Sequence, residues 1–201
     1  VEILLKIIED SSPHYVRFTH DGLDKVVGKC QQILSTINMT DENFIHHRVS
    51  VEEGNEILSM IPFSKSFNFM QYRVSLFISK PGLYYRAHKD GLDHRFSINY
   101  PIQILDDKCV TSWYSDKDLH GYKIDTLNNK SRECIDFDKG NHTPTKTMTA
   151  KMGECILFNT DLFHDWDNTA SDNYRVVLTL RCKNPGNIYF QEAKQILFKY
   201  L

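Results

Sequence analysis

Residues 82–102 read GLYYRAHKDGLDHRFSINYPI, and the fold turns on how this stretch is placed. Its second half, continued as RFSINYPIQI (95–104), alternates as a half-buried β-strand does. Its first half ends in His88, Lys89 and Asp90. In an extended chain residues i and i+2 point the same way, so His88 and Asp90 present an imidazole and a carboxylate on one face. Taken alone, such a pair is no better than chance in a chain with nine histidines and abundant aspartate. Its weight depends on what surrounds it.

Working outward, the same period of two appears in MQYRVSLFIS (70–79), which sets Met70, Tyr72, Val74, Leu76 and Ile78 on one face. It returns in ECILF (154–158) and YRVVLTLRC (174–182), with shorter extended candidates at 110–114 and 146–150. Many strands and few helices predict a mainly β architecture with flanking helices, an antiparallel sandwich or barrel of which the jelly roll, or double-stranded β-helix, is one solution. Upstream, Leu23, Val26, Val27, Cys30, Ile33, Leu34 and Ile37 follow the spacing of an amphipathic helix. A second helix is expected to start at Ser50, where SVEE places Glu53 as a capping-box partner, and to end before Pro62. The expected organisation of residues 1–201 is a single domain. It has a helical buttress region over 1–68, a jelly-roll core over 69–190 with a polar, aperiodic insertion at about 115–145, and a closing helix over 191–201.

Composition narrows the function classes. The 24 Lys and Arg against 26 Asp and Glu leave a formal charge of −2 without a long like-charge block, so neither nucleic acid nor a membrane surface is indicated as a partner. No apolar run approaches a membrane span. Five cysteines at wide spacing, with no C-x-x-C, resemble neither a disulfide framework nor a zinc ribbon, and a cytoplasmic or other reducing, soluble compartment is expected. The sequence opens on Val1 rather than Met, so a preceding leader or domain is left open. Oligomeric state is not readable.

A 2-His-1-carboxylate site needs a third ligand from another strand, leaving the opposite metal face open. GECILFNTDLFHDWDN (153–168) offers His164 on a short strand after a polar turn, where a hydrogen-bonded structural histidine is the competing reading. Eleven residues later, Arg175 opens a strand that sends Arg175, Val177, Thr179 and Arg181 to one face and Tyr174, Val176, Leu178 and Leu180 to the other. A buried guanidinium needs an anion, and its planar fork suits a carboxylate. A salt bridge to one of the many acids, or a wet edge strand, would explain it equally.

The ordered set His88, Asp90, His164 and Arg175, preceded by the GECILFN strand, resembles the Fe(II)- and 2-oxoglutarate-dependent oxygenases of the double-stranded β-helix fold. KPGLYYRAHKDGLDHR (80–95) is similar to the pattern of the prolyl hydroxylase-like branch, and YRVVLTL resembles that branch's Arg-x-x-x-Thr strand. The resemblance covers roughly residues 70–182 and leaves the N-terminal third outside. It implies that His88, Asp90 and His164 hold Fe(II), and that Arg175, with Thr179 beside it, binds the distal carboxylate of 2-oxoglutarate. It further implies dioxygen as co-reactant and hydroxylation of an aliphatic carbon in a protein side chain or small metabolite. A carboxylate at Asp90, in place of a small residue, argues against the halide-accepting variant. Asn99 shares parity with Arg95 and Ser97 and faces either the cosubstrate or solvent. Trp166 is a candidate wall of the cavity, and Tyr85 and Arg95 either contact substrate or lock the loop. Trp113 is read as core. Two other readings remain: a cupin-type jelly-roll metalloenzyme that uses no oxoacid, and a non-catalytic β-sandwich binding module.

Overall fold

The computed structural model describes residues 5–39, 43–67, 69, 73–90, 95–118, 122–127, 130–135, 142–182 and 188–201. In chain order the elements are β1 (Leu5–Ser11), β2 (Tyr15–His20), α1 (Leu23–Leu34), β3 (Phe44–Arg48), α2 (Val51–Ser59), α3 (Ser64–Phe67), β4 (Ser75–Ser79), β5 (Tyr84–His88), β6 (Phe96–Gln103) and β7 (Val110–Tyr114). These are followed by β8 (Tyr122–Leu127), β9 (Lys130–Ile135), β10 (Lys146–Met148), β11 (Cys155–Asn159), β12 (Phe163–Asp167), β13 (Arg175–Leu180) and α4 (Phe190–Phe198). A seven-stranded sheet runs β1-β2-β11-β6-β13-β4-β3, and a six-stranded sheet runs β10-β7-β12-β5-β9-β8. Every ladder is antiparallel, and strands distant in sequence lie side by side, as a jelly roll requires.

Alternation along the strands divides the molecule into a helix-backed core and a cavity. Val176, Leu178 and Leu180 of β13, Ile98 and Tyr100 of β6, and Cys155 and Leu157 of β11 join the main apolar cluster. The same cluster takes in Val26, Cys30 and Ile33 of α1 and Ala193 and Leu197 of α4. The opposite parity on β13 and β6, including Arg175, Thr179, Ser97 and Asn99, lines the cavity. Between the sheets a second cluster gathers Tyr15, Ile156 and Phe158 around Trp113, which is fully buried as its reading as core requires.

Two departures from strict pairing shape this frame. Val177 pairs with Pro101 but Val176 with Gln103, so β6 carries one extra residue. A proline interior to a strand, which has no N–H for the ladder, is tolerated at such a bulge. In the other sheet His164 pairs with His88 and Trp166 with Tyr85, so three steps on β5 match two on β12. This shift turns Tyr85 to the same side as His88, although simple alternation would oppose them.

The N-terminal region holds the two expected helices but also three strands of the larger sheet. The helical buttress expected over 1–68 is corrected accordingly. The polar stretch 115–145, read as an aperiodic insertion, contains the antiparallel pair β8 and β9, and the short β10 follows it within the extended candidate 146–150. Here hydrogen-bonded pairing supplies order that hydrophobic periodicity does not announce. The capping box at the start of α2 is present: the Ser50 hydroxyl accepts from the Glu53 N–H at 3.2 Å, and the Glu53 carboxylate accepts from the Ser50 N–H at 2.9 Å.

The entry to α1 depends on Gly22, whose φ of 92° lies in the left-handed region and where a Cβ would stand 2.6 Å from the Met60 carbonyl oxygen. Gly28, inside the same helix, has open space around it. Gly22→Ala is therefore expected to cost about 1–3 kcal/mol, whereas Gly28→Ala is expected to stabilise by about 0.5–1 kcal/mol. Chemical denaturation of the two variants measures both, and equal effects would contradict the local geometry.

Candidate metal and oxoacid site

The site is built on the pairing of β5 with β12. Opposed residues of an antiparallel pair are close neighbours, and His88 faces His164 with ring centroids 4.5 Å apart. Both histidines are buried, each 5% exposed. The Nδ1 of His88 lies 2.9 Å from the Arg86 carbonyl and that of His164 2.8 Å from the Leu162 carbonyl. Since a carbonyl only accepts, each Nδ1 carries the proton in the neutral ring, which makes Nε2 the nitrogen able to ligate a metal. Asp90, just past the end of β5, is held by its backbone N–H, which donates to the Thr160 carbonyl at 3.2 Å. Its Oδ1 lies 3.5 Å from His88 Nε2. One ligand atom from each of His88, Asp90 and His164 falls within 4.8 Å of the others, a cluster able to hold a metal ion.

Arg181, not singled out as a site residue from sequence, completes this arrangement. Its Nη2 donates to Asp90 Oδ2 at 3.1 Å, leaving Oδ1 as the oxygen nearest the histidines. Burial alone would push the Asp90 carboxyl up, but Arg181, joined by His88 and His164, outweighs it and holds the group well below the usual carboxylate range. Asp90 is thereby kept ionised and oriented.

A cavity of about 350 Å³ opens on the cluster, lined also by Arg175, Thr179 and Asn99. Thr179 and Asn99 are directly opposed across β13 and β6. The Asn99 amide oxygen is buried without a hydrogen-bond partner. The amide can offer that oxygen or, turned over, its NH₂ to a bound molecule. The Arg175 guanidinium meets no carboxylate among the described residues and rests against the Trp166 ring, 5.4 Å from its centroid. Burial lowers its affinity for its own proton. This is the anion-seeking guanidinium expected from the strand pattern, and the alternative of an internal salt bridge is not what the described residues provide.

Aromatic rings form one wall. Tyr85 stacks on Trp166 at 5.1 Å, and Phe44 of β3 packs against Tyr85, Trp166 and Phe77. His46, also on β3, stacks on Phe77 at 4.6 Å. Of the two open readings for Tyr85 and Arg95, Tyr85 takes its place on the cavity, whereas Arg95 does not line it. Arg95 instead pairs with Asp161 at 3.1 Å and lies over the Tyr189 ring, tying these three segments together. Sequence reading missed Phe44 and His46 because β3 is too short for its period to register. It did place Arg181 on the face of Arg175, which was the available signal. On the far side of β12, Tyr84 and Tyr114 donate to Asp165 at 3.0 and 2.7 Å, and burial beside that carboxylate pushes both phenols up.

Among solved structures, the epimerase SnoN in complex with Fe3+, alpha ketoglutarate and nogalamycin RO is similar over 87% of this chain and 83% of its own, with a TM-score of 0.52 and 10% identity. A Pseudomonas putida prolyl-4-hydroxylase aligns over 86% of this chain and 95% of its own, with a TM-score of 0.46 and 10% identity. The alpha ketoglutarate dependent carbocyclase SnoK aligns over 87% and 83%, with a TM-score of 0.45 and 12% identity. No protein-family model matches the sequence, and no curated protein matches it. The chain has the jelly-roll fold of the Fe(II)/2-oxoglutarate-dependent oxygenases, as the sequence resemblance implied.

An unpaired buried cation costs stability when no anion is bound. Arg175→Met is therefore expected to raise the thermal midpoint of the ligand-free protein, by an amount equivalent to about 1–3 kcal/mol. A lowered midpoint in calorimetry would mean that an internal acid already satisfies the guanidinium.

Proposed function

We propose that the protein is an Fe(II)- and 2-oxoglutarate-dependent dioxygenase that hydroxylates an aliphatic carbon of a small metabolite or protein side chain. The observation that carries this reading is a guanidinium that meets no carboxylate among the described residues, Arg175, on the same cavity as the His88, Asp90 and His164 cluster. Two neutral imidazoles and one carboxylate suit a divalent transition metal and leave positions for other ligands. With no counter-ion among the described residues, Arg175 suits an oxoacid whose distal carboxylate it would take.

In this reading His88, Asp90 and His164 hold the iron, and Arg181 fixes the Asp90 carboxylate against rotation. Arg175 binds the distal carboxylate of 2-oxoglutarate in a charge-assisted pair, with the Thr179 hydroxyl and Asn99 amide beside it. Tyr85 and Trp166 wall off water. Bound iron supplies the dioxygen chemistry, which side chains cannot. Overall, a substrate C–H becomes C–OH with one oxygen atom of dioxygen. The other atom enters succinate as the oxoacid loses carbon dioxide.

Anaerobic addition of Fe(II) and 2-oxoglutarate is expected to give the weak visible band of the chelate, and aerobic incubation with a substrate panel to give succinate. His88→Ala is expected to abolish stoichiometric metal binding. Arg175→Ala is expected to weaken 2-oxoglutarate binding roughly 100-fold. Metal-dependent turnover that survives Arg175→Ala would instead favour a cupin-type enzyme using no oxoacid. Failure of the wild type to retain metal would favour a binding module.

A further inference from the structure

Among the described residues, the charges lining the cavity do not balance once the proposed ligands are in place, and the excess falls where Asp90 is shared between the metal and Arg181. The formally charged side chains lining it, among the described residues, are Arg175, Arg181 and Asp90. With neutral histidines this leaves one positive charge. A divalent metal ion adds two and a dianionic oxoacid removes two, so the loaded cavity keeps one uncompensated positive charge. Uncompensated charge in a partly enclosed, aromatic-walled cavity is costly, because few dipoles are available to screen it.

Arg175 is satisfied by the cosubstrate in that count, so the excess falls on the metal and Arg181, which divide the single Asp90 carboxylate between them. The Arg181 Nη2 is held by Asp90, but no acceptor among the described residues meets Nε or Nη1. The guanidinium lies 5.5 Å from the centroid of Phe77, whose ring stacks with Phe44 and His46. A positive group with donors to spare thus adjoins an aromatic wall and touches the carboxylate of the metal cluster.

We infer that Arg181 selects a substrate bearing a single carboxylate, whose apolar body lies along the wall of Phe44, His46 and Phe77. This rests on the oxygenase reading above and names its substrate class. Because Arg181 is bonded directly to Asp90, a carboxylate seated on it lies close to the metal cluster. The carbon presented for oxidation is then within a few bonds of that carboxylate. At about 350 Å³ the cavity is at the small end of ligand sites. Beside the cosubstrate, that leaves room for a small acid or one acidic side chain.

The test uses the full chain loaded with Mn(II) and 2-oxoglutarate in place of the reactive iron complex. Small aliphatic and aromatic monocarboxylic acids, their primary amides, and short peptides carrying one Asp or Glu are compared by ligand-observed NMR. The acids or the acidic peptides are expected to bind, with the matched amides at least 10-fold weaker; which of the two binds identifies the source of the carboxylate. Arg181→Gln is expected to lose roughly 100-fold in affinity for the preferred acid and so to lose the preference over its amide. Arg181→Lys, which keeps the charge, is expected to retain it. Equal binding of acids and amides by the wild type would overturn the inference. So would a parallel loss of 2-oxoglutarate affinity in Arg181→Gln, which would assign Arg181 to the cosubstrate. Failure of the oxygenase reading itself appears separately, as absence of 2-oxoglutarate binding to the wild type before any acid is added.

Discussion

The register between β5 and β12 is the constraint on which the site depends. A slip of one residue would turn one imidazole from the cavity toward the cluster around Asp165, because side chains in a strand alternate with a period of two. That register is enforced from both sides. β7 pairs with β12 through five residues, setting His164 opposite Trp113, which is itself fixed between Tyr15 and Phe158. The carbonyls of Arg86 and Leu162 then orient each ring. The geometry of the cluster therefore follows from sheet pairing, and its protonation from backbone groups two residues back along the same strands.

A second consequence of the sheets is the separation of charge from core. The face of β13 that carries Val176, Leu178 and Leu180 is committed to the helix-backed cluster. Charged groups on this strand therefore have one side available to them, and both arginines lie there. Each rests on an aromatic ring, Arg175 on Trp166 and Arg181 on Phe77. Such contacts shield a guanidinium from water while leaving its in-plane donors available.

Much of this was legible in the sequence where alternation was long and chemically marked. RVVLTLR showed which residues share a face, and the order of His88, Asp90, His164 and Arg175 pointed to one cavity. Legibility failed where order comes from partners instead of periodicity. β1, β2 and β3 gain their identity by pairing, β1 with β2, β2 also with β11 far along the chain, and β3 with β4, and the β8 and β9 pair lies in a polar stretch. Arg95 illustrates a different limit. Parity placed it with Ser97 and Asn99, but it precedes the first residue of β6, and its nearest acid, Asp161, draws it to another side. Tyr85 is the converse case, brought onto the cavity by an irregular register that no periodicity reveals.

The strand β3 lies at the end of the larger sheet and pairs with β4 alone. Its contribution to the cavity, Phe44 and His46, is thus carried by a segment that supplies neither the His88, Asp90 and His164 cluster nor Arg175, Thr179 and Asn99. Exchanging side chains on this edge would reshape that wall of the cavity without altering the β5 and β12 pairing. The fold in this way divides the cavity into a part fixed by sheet pairing and a part carried on an edge strand, so that one wall can change while the His88, Asp90 and His164 cluster stays the same.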